Sequence, residues 1–257
     1  MRLLIKIMGL KIKKSKNIVI DGLISHFDAS DKSSYSGSGT TWKDLSSNGY
    51  DGTLVNGASF DAYDYFPGGA TRYNGGSIKF DGTNDRVDIG GSSPLLSSHV
   101  NNETSIFAWV YLDSFVGNPY VYLRIANGGS SERVRLGFDT NGKIQVRLDL
   151  FTDPLTESKI FTSTNSLSSS LWKFIGFTYD GSTLKMYKDG SLFYQESFSG
   201  SLVDSSSGSS SVLGADEDSG ANYNQFLNGR ISELYCYDKS LTASEIAQTY
   251  NTTKGRF

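Results

Sequence analysis

The chain is predicted to be all-β: two antiparallel sheets packed as a jelly-roll sandwich, with one short helix near the C-terminus. Three observations predict this. Apolar residues recur with period two in short runs, as in KIQVRLDL (143–150), where Ile144, Val146 and Leu148 alternate with Gln145, Arg147 and Asp149; this is the pattern of a strand with one buried face. Turn dipeptides separate the runs, among them Asn48-Gly49, Asn141-Gly142, Asp180-Gly181 and Asp189-Gly190. Finally, 28 Gly and only 4 Pro, with 15 each of Tyr and Phe in 257 residues, suit many strands joined by glycine turns. That length fits one large sandwich. No repeat, heptad or βαβ alternation signals a second domain. Residues 1–17 are set apart as a basic arm, and 18–257 are read as one domain.

Taken in order, IVIDGLISHFDASD (18–31) reads as a first strand with Leu23, Ile24 and Phe27 apolar. A Ser/Gly loop (33–40) precedes TWKDLSSNGYDGTLVNGASF (41–60), where Asp51-Gly52 reads as a turn and Thr53–Val55 as a short strand. Residues 61–76, DAYDYFPGGATRYNGG, read as an aromatic-rich loop. In TSIFAWVYL (104–112), Ile106, Ala108 and Val110 fall on one face and Phe107, Trp109 and Tyr111 on the other, so this strand is expected to be covered on both sides. VYLRIA (121–126), VRLGFD (134–139) and KIQVRLDL follow as strands. The Ser-rich stretches 163–170 and 205–211 read as loops. In RISELYCYD, Ile231 and Leu234 share a face only if a β-bulge lies near Glu233. The single cysteine, Cys236, permits no internal disulfide and reads as a small buried hydrophobe. Thr242 and Glu245 have capping-box spacing, with Leu241 and Ile246 as the hydrophobic staple of a single helical turn.

Several of these phrases together carry a resemblance: the opening WKDLSSNGYDG (42–52), SIKFDGTNDRVDI (77–89), SIFAWVYL (105–112), LWKFIGFTYDGSTLKMYKDGSLF (171–193) and FLNGRISELYCYDKSLTASEIAQTY (226–250). Over residues 20–250 the chain resembles the laminin-G-like, concanavalin-A-like jelly rolls. The resemblance implies a concanavalin-A-like sandwich and one of three activities: lectin, calcium-binding recognition module or glycosidase. Glycosidases need two carboxylates fixed across a cleft, which the related glucanases place in an E-x-D-x-E run. This chain has no such run, nor GxSxG, HExxH or P-loop patterns. His26 and His99 lie far apart without a Ser or Cys partner. A non-enzymatic protein is therefore expected.

The segment LGADEDSGANYNQFLNG (213–229) resembles the calcium loop of the pentraxins. The resemblance implies Asp216, Glu217, Asp218 and Gln225 as ligands of a calcium ion, which takes six to eight hard oxygens. Where the pentraxins add an Asp-Asn pair, this chain has Gly128 to Ser131. Asp81, Asn84, Asp85 and Asp88 form a second oxygen-rich stretch, read as structural. For glycan binding, aromatic platforms beside polar groups are needed. Tyr63, Tyr65 and Tyr73 in the 61–76 segment, and Tyr223 beside the acidic loop, are the candidates.

Charge is asymmetric. Residues 1–16 carry six of the 24 Lys and Arg side chains and no acid, leaving 18 basic against 27 acidic residues in the remainder. Lys6 and Lys11 interrupt the apolar run of MRLLIKIMGLKIKKSKN, so it does not read as a secretory signal, and no segment is long enough to span a membrane. The arm could pair as a strand on its own domain, insert into a partner through Lys6, Lys11, Lys13 and Lys14, or touch nucleic acid or a membrane. The last is disfavoured, because six charges without a wider basic face are a small footprint. The reading is a recognition or structural module: a phage virion protein, of capsid decoration or tail fibre, with a lectin-like domain for host-surface glycans. Its arm would dock other structural subunits within an oligomer, placing it at the virion surface. The alternatives are a calcium-dependent lectin outside any virion, extracellular or at the cell surface, and a divergent glycosidase.

Overall fold

The computed structural model describes residues 18–65, 71–90, 102–125, 133–152, 156–202, 210–218 and 222–257. The basic arm with Lys6, Lys11, Lys13 and Lys14 lies outside the described residues, as do His99 and Gly128 to Ser131. Among the described residues the strands form two large antiparallel sheets. The first runs β14 (Ser191–Ser197), β13 (Thr183–Lys188), β12 (Trp172–Tyr179), β7 (Thr104–Leu112), β19 (Asn228–Tyr237), β5 (Thr71–Asp81) and β4 (Ser59–Tyr65), with β1 (Leu23–Asp28) also paired to β19. The second runs β11 (Thr156–Ser166), β10 (Lys143–Phe151), β9 (Arg133–Phe138), β8 (Tyr120–Ile125), β16 (Ser210–Leu213), β6 (Arg86–Ile89), β3 (Gly52–Val55) and β2 (Thr41–Trp42), with β15 (Ser201–Leu202) on β10. A small hairpin, β17 (Asp216–Asp218) with β18 (Asn222–Asn224), completes the strands, and helix α1 spans Ala243–Thr253.

Period-two alternation directs one face of each sheet into a shared apolar core. Ile106, Ala108 and Val110 from β7 meet Ile144, Val146 and Leu148 from β10 in that core. The opposite side of the first sheet is apolar too. Phe107, Trp109, Tyr111, Trp172, Phe174 and Tyr235 form a second buried cluster with Leu241 and Ile246. This is why TSIFAWVYL is apolar on both faces: β7 is buried at every position. The expected bulge in β19 lies between Ile231 and Glu233, where the pairing with β7 shifts register. It brings Ile231 and Leu234 into the same core. Cys236 is free and 1% exposed, as its strand position predicts.

The helix is longer than the single turn expected, at 11 residues. Thr242 accepts from the Glu245 N–H while the Glu245 side chain accepts from the Thr242 N–H, closing the capping box. Ile246, Thr249 and Thr253 are its buried stripe, and the Thr253 hydroxyl accepts a 2.8 Å hydrogen bond from the Trp109 indole. Tertiary packing onto the aromatic layer extends a helix too short to be stable alone.

Three loop expectations need correction. Residues 61–76 are not a loop: β4 and β5 pair as a hairpin with Tyr63 opposite Tyr73 and Tyr65 opposite Thr71. The tyrosine-rich flanks have strand propensity, and only the 66–70 tip, which carries Pro67 and Gly68, lies outside the described residues. Asp51-Gly52 is not a turn. Gly52 opens β3 and is a glycine for want of space, since a Cβ there would lie 2.7 Å from Val87 Cγ1. The Ser-rich stretches are partly strand, because β11 continues through Ser163 to Ser166 and β16 begins at Ser210. Backbone pairing there outweighs the small apolar area that serine offers.

The motif WKDLSSNGYDG has a structural use. Trp42 is fully buried. The Asp44 carboxylate accepts from the backbone N–H groups of His26, Ser46 and Tyr50, and Asp51 accepts from Asp44 N–H. The motif thereby ties the first sheet to the edge of the second.

Candidate functional site

A sandwich has two outward faces. On the first sheet that face is apolar and closed by α1 and the C-terminal residues, where Phe257 stacks on Trp109 with centroids 4.0 Å apart. The outward face of the second sheet is charged. One continuous rung crosses it by register: Thr41, Thr53, Asp88, Val212, Leu123, Arg135, Arg147 and Ile160. Residues two positions along each strand extend the same face, adding Arg86, Gln145 and Asp149.

Among the described side chains of this face, Arg86, Arg135 and Arg147 each hold a carboxylate. Arg86 pairs with Asp88 through two bonds, Nε–Oδ1 at 2.7 Å and Nη2–Oδ2 at 3.1 Å. Arg147 holds Asp149 at 3.0 Å in the same i, i+2 geometry. Arg135 reaches Asp216 at 2.8 Å, with both side chains almost fully buried. Strand alternation accounts for the i, i+2 pairs, because side chains two apart on a strand stand side by side. The bidentate geometry makes them stronger than single surface contacts.

The β17–β18 hairpin bridges these pairs. Its Asp216 goes to Arg135 on β9, while its Tyr223 ring lies under the Arg86 guanidinium of β6, 3.9 Å from Cζ to ring centroid. The hairpin therefore spans the strands between, where Val212 and Leu123 are buried. Glu217 faces Tyr223 across the hairpin pairing. Burial raises the Tyr223 hydroxyl above its ordinary pKa, with the negative charges of Asp88 and Glu217 adding to the rise and Arg86 opposing it. Asp88 keeps 39% of its side chain exposed. Tyr223, Arg86, Asp88 and Glu217 thus form a half-open patch with an aromatic ring, a guanidinium and two carboxylates. Such a patch can donate to and accept from hydroxyl groups and stack against an apolar ring face.

The predicted site residues separate into groups. Asp216, Glu217 and Asp218 are not a flexible loop but strand β17. Consecutive strand residues face opposite ways, so Asp216 turns to Arg135 while Glu217 turns to Tyr223. Gln225 adopts a positive φ of 51° and its carbonyl accepts from Tyr120 N–H at 3.2 Å. Asp216 and Glu217 thus point to opposite faces, and the Asp218 side chain lies outside the described residues. Among the described residues no group of three or more His, Cys, Asp or Glu could hold a metal ion. Tyr63, Tyr65 and Tyr73 belong to the β4–β5 hairpin of the first sheet, a different element from the β17–β18 hairpin that carries Tyr223; their side chains lie outside the described residues. Asp81 and Asp85 are a turn device, as expected: Asp85 accepts from Asp81 N–H, and Asp81 from Thr83 N–H. His26 stacks on Tyr235 at 4.7 Å, within the fold.

Arg86 and Arg135 were missed at the sequence level. The one available signal was the R-x-D spacing of Arg86/Asp88 and Arg147/Asp149 on outward positions. Arg135 carried no signal, since its partner Asp216 is distant along the chain.

Comparison with known proteins agrees with the architecture. No curated protein matches the chain. Among solved structures, the receptor binding domain of botulinum neurotoxin C/D mosaic serotype matches at TM-score 0.58 and 18% identity, over 90% of this chain and 51% of that one. The chain thus spans about half the length of the toxin domains it matches. Domain 4 of AbnA, a GH43 extracellular arabinanase from Geobacillus stearothermophilus solved with arabinotriose, matches at TM-score 0.58 and 16% identity, covering 89% of this chain and 98% of that one. The binding domain of botulinum neurotoxin DC, solved in complex with SialylT, matches at TM-score 0.57 and 15% identity, over 90% and 52%. At these identities the likeness is one of fold. A family model matches residues 81–247, and on that match the chain belongs to the concanavalin A-like lectin/glucanases superfamily.

Proposed function

We propose that this protein is a non-catalytic glycan-binding module whose binding face is the outward side of the second sheet. The observation that carries it is the Arg86–Tyr223 stack flanked by Asp88 and Glu217. An aromatic ring with convergent, oppositely charged hydrogen-bonding groups suits a polyhydroxylated ligand. Asp88, Asp149 and Asp216 have lone pairs committed to guanidinium groups, which suits recognition better than nucleophilic or acid catalysis. Support of a weaker kind comes from relatives of the same fold: domain 4 of AbnA was solved with arabinotriose and a toxin binding domain with SialylT.

In its fuller form the proposal places the domain on a phage virion, as a capsid decoration or tail fibre component, with residues 1–17 as the arm that docks it to neighbouring subunits. Calcium, if used, would draw on Glu217, Asp218 and Gln225, because Asp216 is engaged by Arg135. The test is a glycan array on the full chain, run with calcium and with chelator, alongside Tyr223→Ala and Asp88→Asn. Binding that falls at least tenfold in both variants supports the site. A responsive glycan whose binding ignores both changes removes this face from consideration.

A further inference from the structure

The loop between β1 and β2 encloses an open cavity of about 330 Å³ that the proposed glycan patch does not use. Its chemistry differs from that of the patch. Lys32 and Lys43 line it together with the hydroxyls of Ser33, Ser38, Thr40 and Thr41, and no carboxylate does. Elsewhere on this acidic domain basic groups are commonly matched: Arg86, Arg135, Arg147, Lys159, Arg230, Lys239 and Arg256 each hold a carboxylate. Lys32 and Lys43 form no ion pair among the described residues. The Lys32 ammonium lies 3.4 Å from the Ser36 carbonyl and 5.5 Å from the Phe60 ring centroid.

The lining residues are exposed except Ser34, and the backbone behind them is pinned by Ser34 and by its neighbour Tyr35, which lies outside the lining. Ser34 is buried; its hydroxyl donates to the Lys43 carbonyl at 2.6 Å and accepts from Asp28 N–H. Tyr35 is 2% exposed, stacks on Phe60 at 5.3 Å and donates to the Gly39 carbonyl at 2.6 Å. Lys43 N–H in turn donates to the Ser34 carbonyl at 2.8 Å. The two lysines thus project from a backbone pinned on both sides of the cavity. Two cations with no carboxylate partner among the described residues, around a small space lined by Ser and Thr, are the complement of a tetrahedral or planar oxyanion.

We infer that this cavity binds the oxyanion of an acidic saccharide, a sulfate or a carboxylate, with Lys32 and Lys43 as its cations. The saccharide source rests on the proposed function; the oxyanion site does not. Position links the two. Thr41 lines the cavity and begins the outward rung, opposite Thr53, which is opposite Asp88. Two strand spacings put Asp88 about 10 Å from Thr41. One chain of sugars can therefore lie along the rung with its charged substituent in the cavity and its rings over Tyr223.

The test uses the full chain. Inorganic sulfate is titrated while amide chemical shifts are followed, in wild type, in Lys32→Met/Lys43→Met and in the charge-matched control Lys79→Met/Lys254→Met. A sulfated galactan tetrasaccharide and its desulfated parent are then compared in the same three proteins. The expected result is sulfate-dependent shifts within residues 33–43 that vanish only in K32M/K43M. The sulfated sugar is expected to bind about tenfold more tightly than its parent, a preference lost in that variant and weakened by salt. Absence of sulfate shifts in that loop, or shifts equal in K32M/K43M and wild type, overturns the inference, even if the desulfated parent binds and the glycan reading survives. Sulfate bound in the loop with neither sugar binding keeps the oxyanion site and sinks the saccharide source.

Discussion

Arg256 is the most informative single position for stability. Its guanidinium reaches into the bulge of β19, donating to the Glu233 carboxylate, to Asp28 Oδ2 at 3.0 Å and to Ser232 Oγ at 3.1 Å. Glu233 is fully buried and Asp28 is 2% exposed; the Tyr235 hydroxyl is a further donor to Glu233. Replacing Arg256 by Met keeps the apolar stem but leaves two buried carboxylates facing each other without their shared cation. Breaking a buried pair from one side costs about 3–5 kcal/mol, whereas a surface pair costs about 0–1 kcal/mol. Because Arg256 serves two buried carboxylates, the upper half of that range is expected. Phe257, stacked on Trp109 next along the chain, would lose its anchor as well. Urea unfolding with linear extrapolation measures the difference, provided the slope is unchanged. In Arg256→Met/Glu233→Gln the charge mismatch is reduced while the Tyr235 bond is retained, so a clear part of the lost stability should return. A cost below about 1 kcal/mol for Arg256→Met, comparable to a surface pair, would refute this reasoning, as would a double variant no more stable than the single one.

Other consequences are open to direct measurement. Gly52→Ala should cost about 1–3 kcal/mol by overpacking against Val87, read from the same urea curves; a neutral result would mean that β3 shifts freely. Burial drives the Cys236 thiol well above its ordinary pKa, so a thiol reagent should label it only after denaturation, and rapid native labelling would contradict its packing. Glu196 is held below the ordinary carboxylate range by the Tyr194 hydroxyl first and by Lys159 next. A depressed folded pKa gives stability that is present above about 4.5 and lost as pH falls through the folded value. The Tm gap between wild type and Glu196→Gln should accordingly close on acidification below that point, and a gap independent of pH would exclude the pairing. In Thr242→Ala the capping box is lost at a cost of about 1 kcal/mol, seen as faster amide exchange in the first turn of α1.

Local chemistry is what the sequence by itself determined. Strand alternation in KIQVRLDL, the two-faced apolar pattern of TSIFAWVYL, the bulge demanded by Ile231 and Leu234, and the Thr242–Glu245 cap were all legible, because each depends on residues within one element. The fold class followed from them. Readings that needed a partner outside the element were not legible. The run Asp216-Glu217-Asp218 looks like a ligand set in one dimension, but pairing with β18 turns its first two members to opposite faces and hands Asp216 to Arg135. The tyrosines of 61–76 looked like a loop, until pairing of β4 with β5 made them a hairpin. Lys32 and Lys43 carry no motif; their shared cavity exists because Ser34 and Tyr35 fold the intervening backbone onto the core. The physical reason is common to all three. Hydrophobic periodicity is written into neighbouring residues of one element, whereas charge pairing, cavities and faces arise where separate strands and loops are brought side by side, and only the tertiary structure decides which side chains meet.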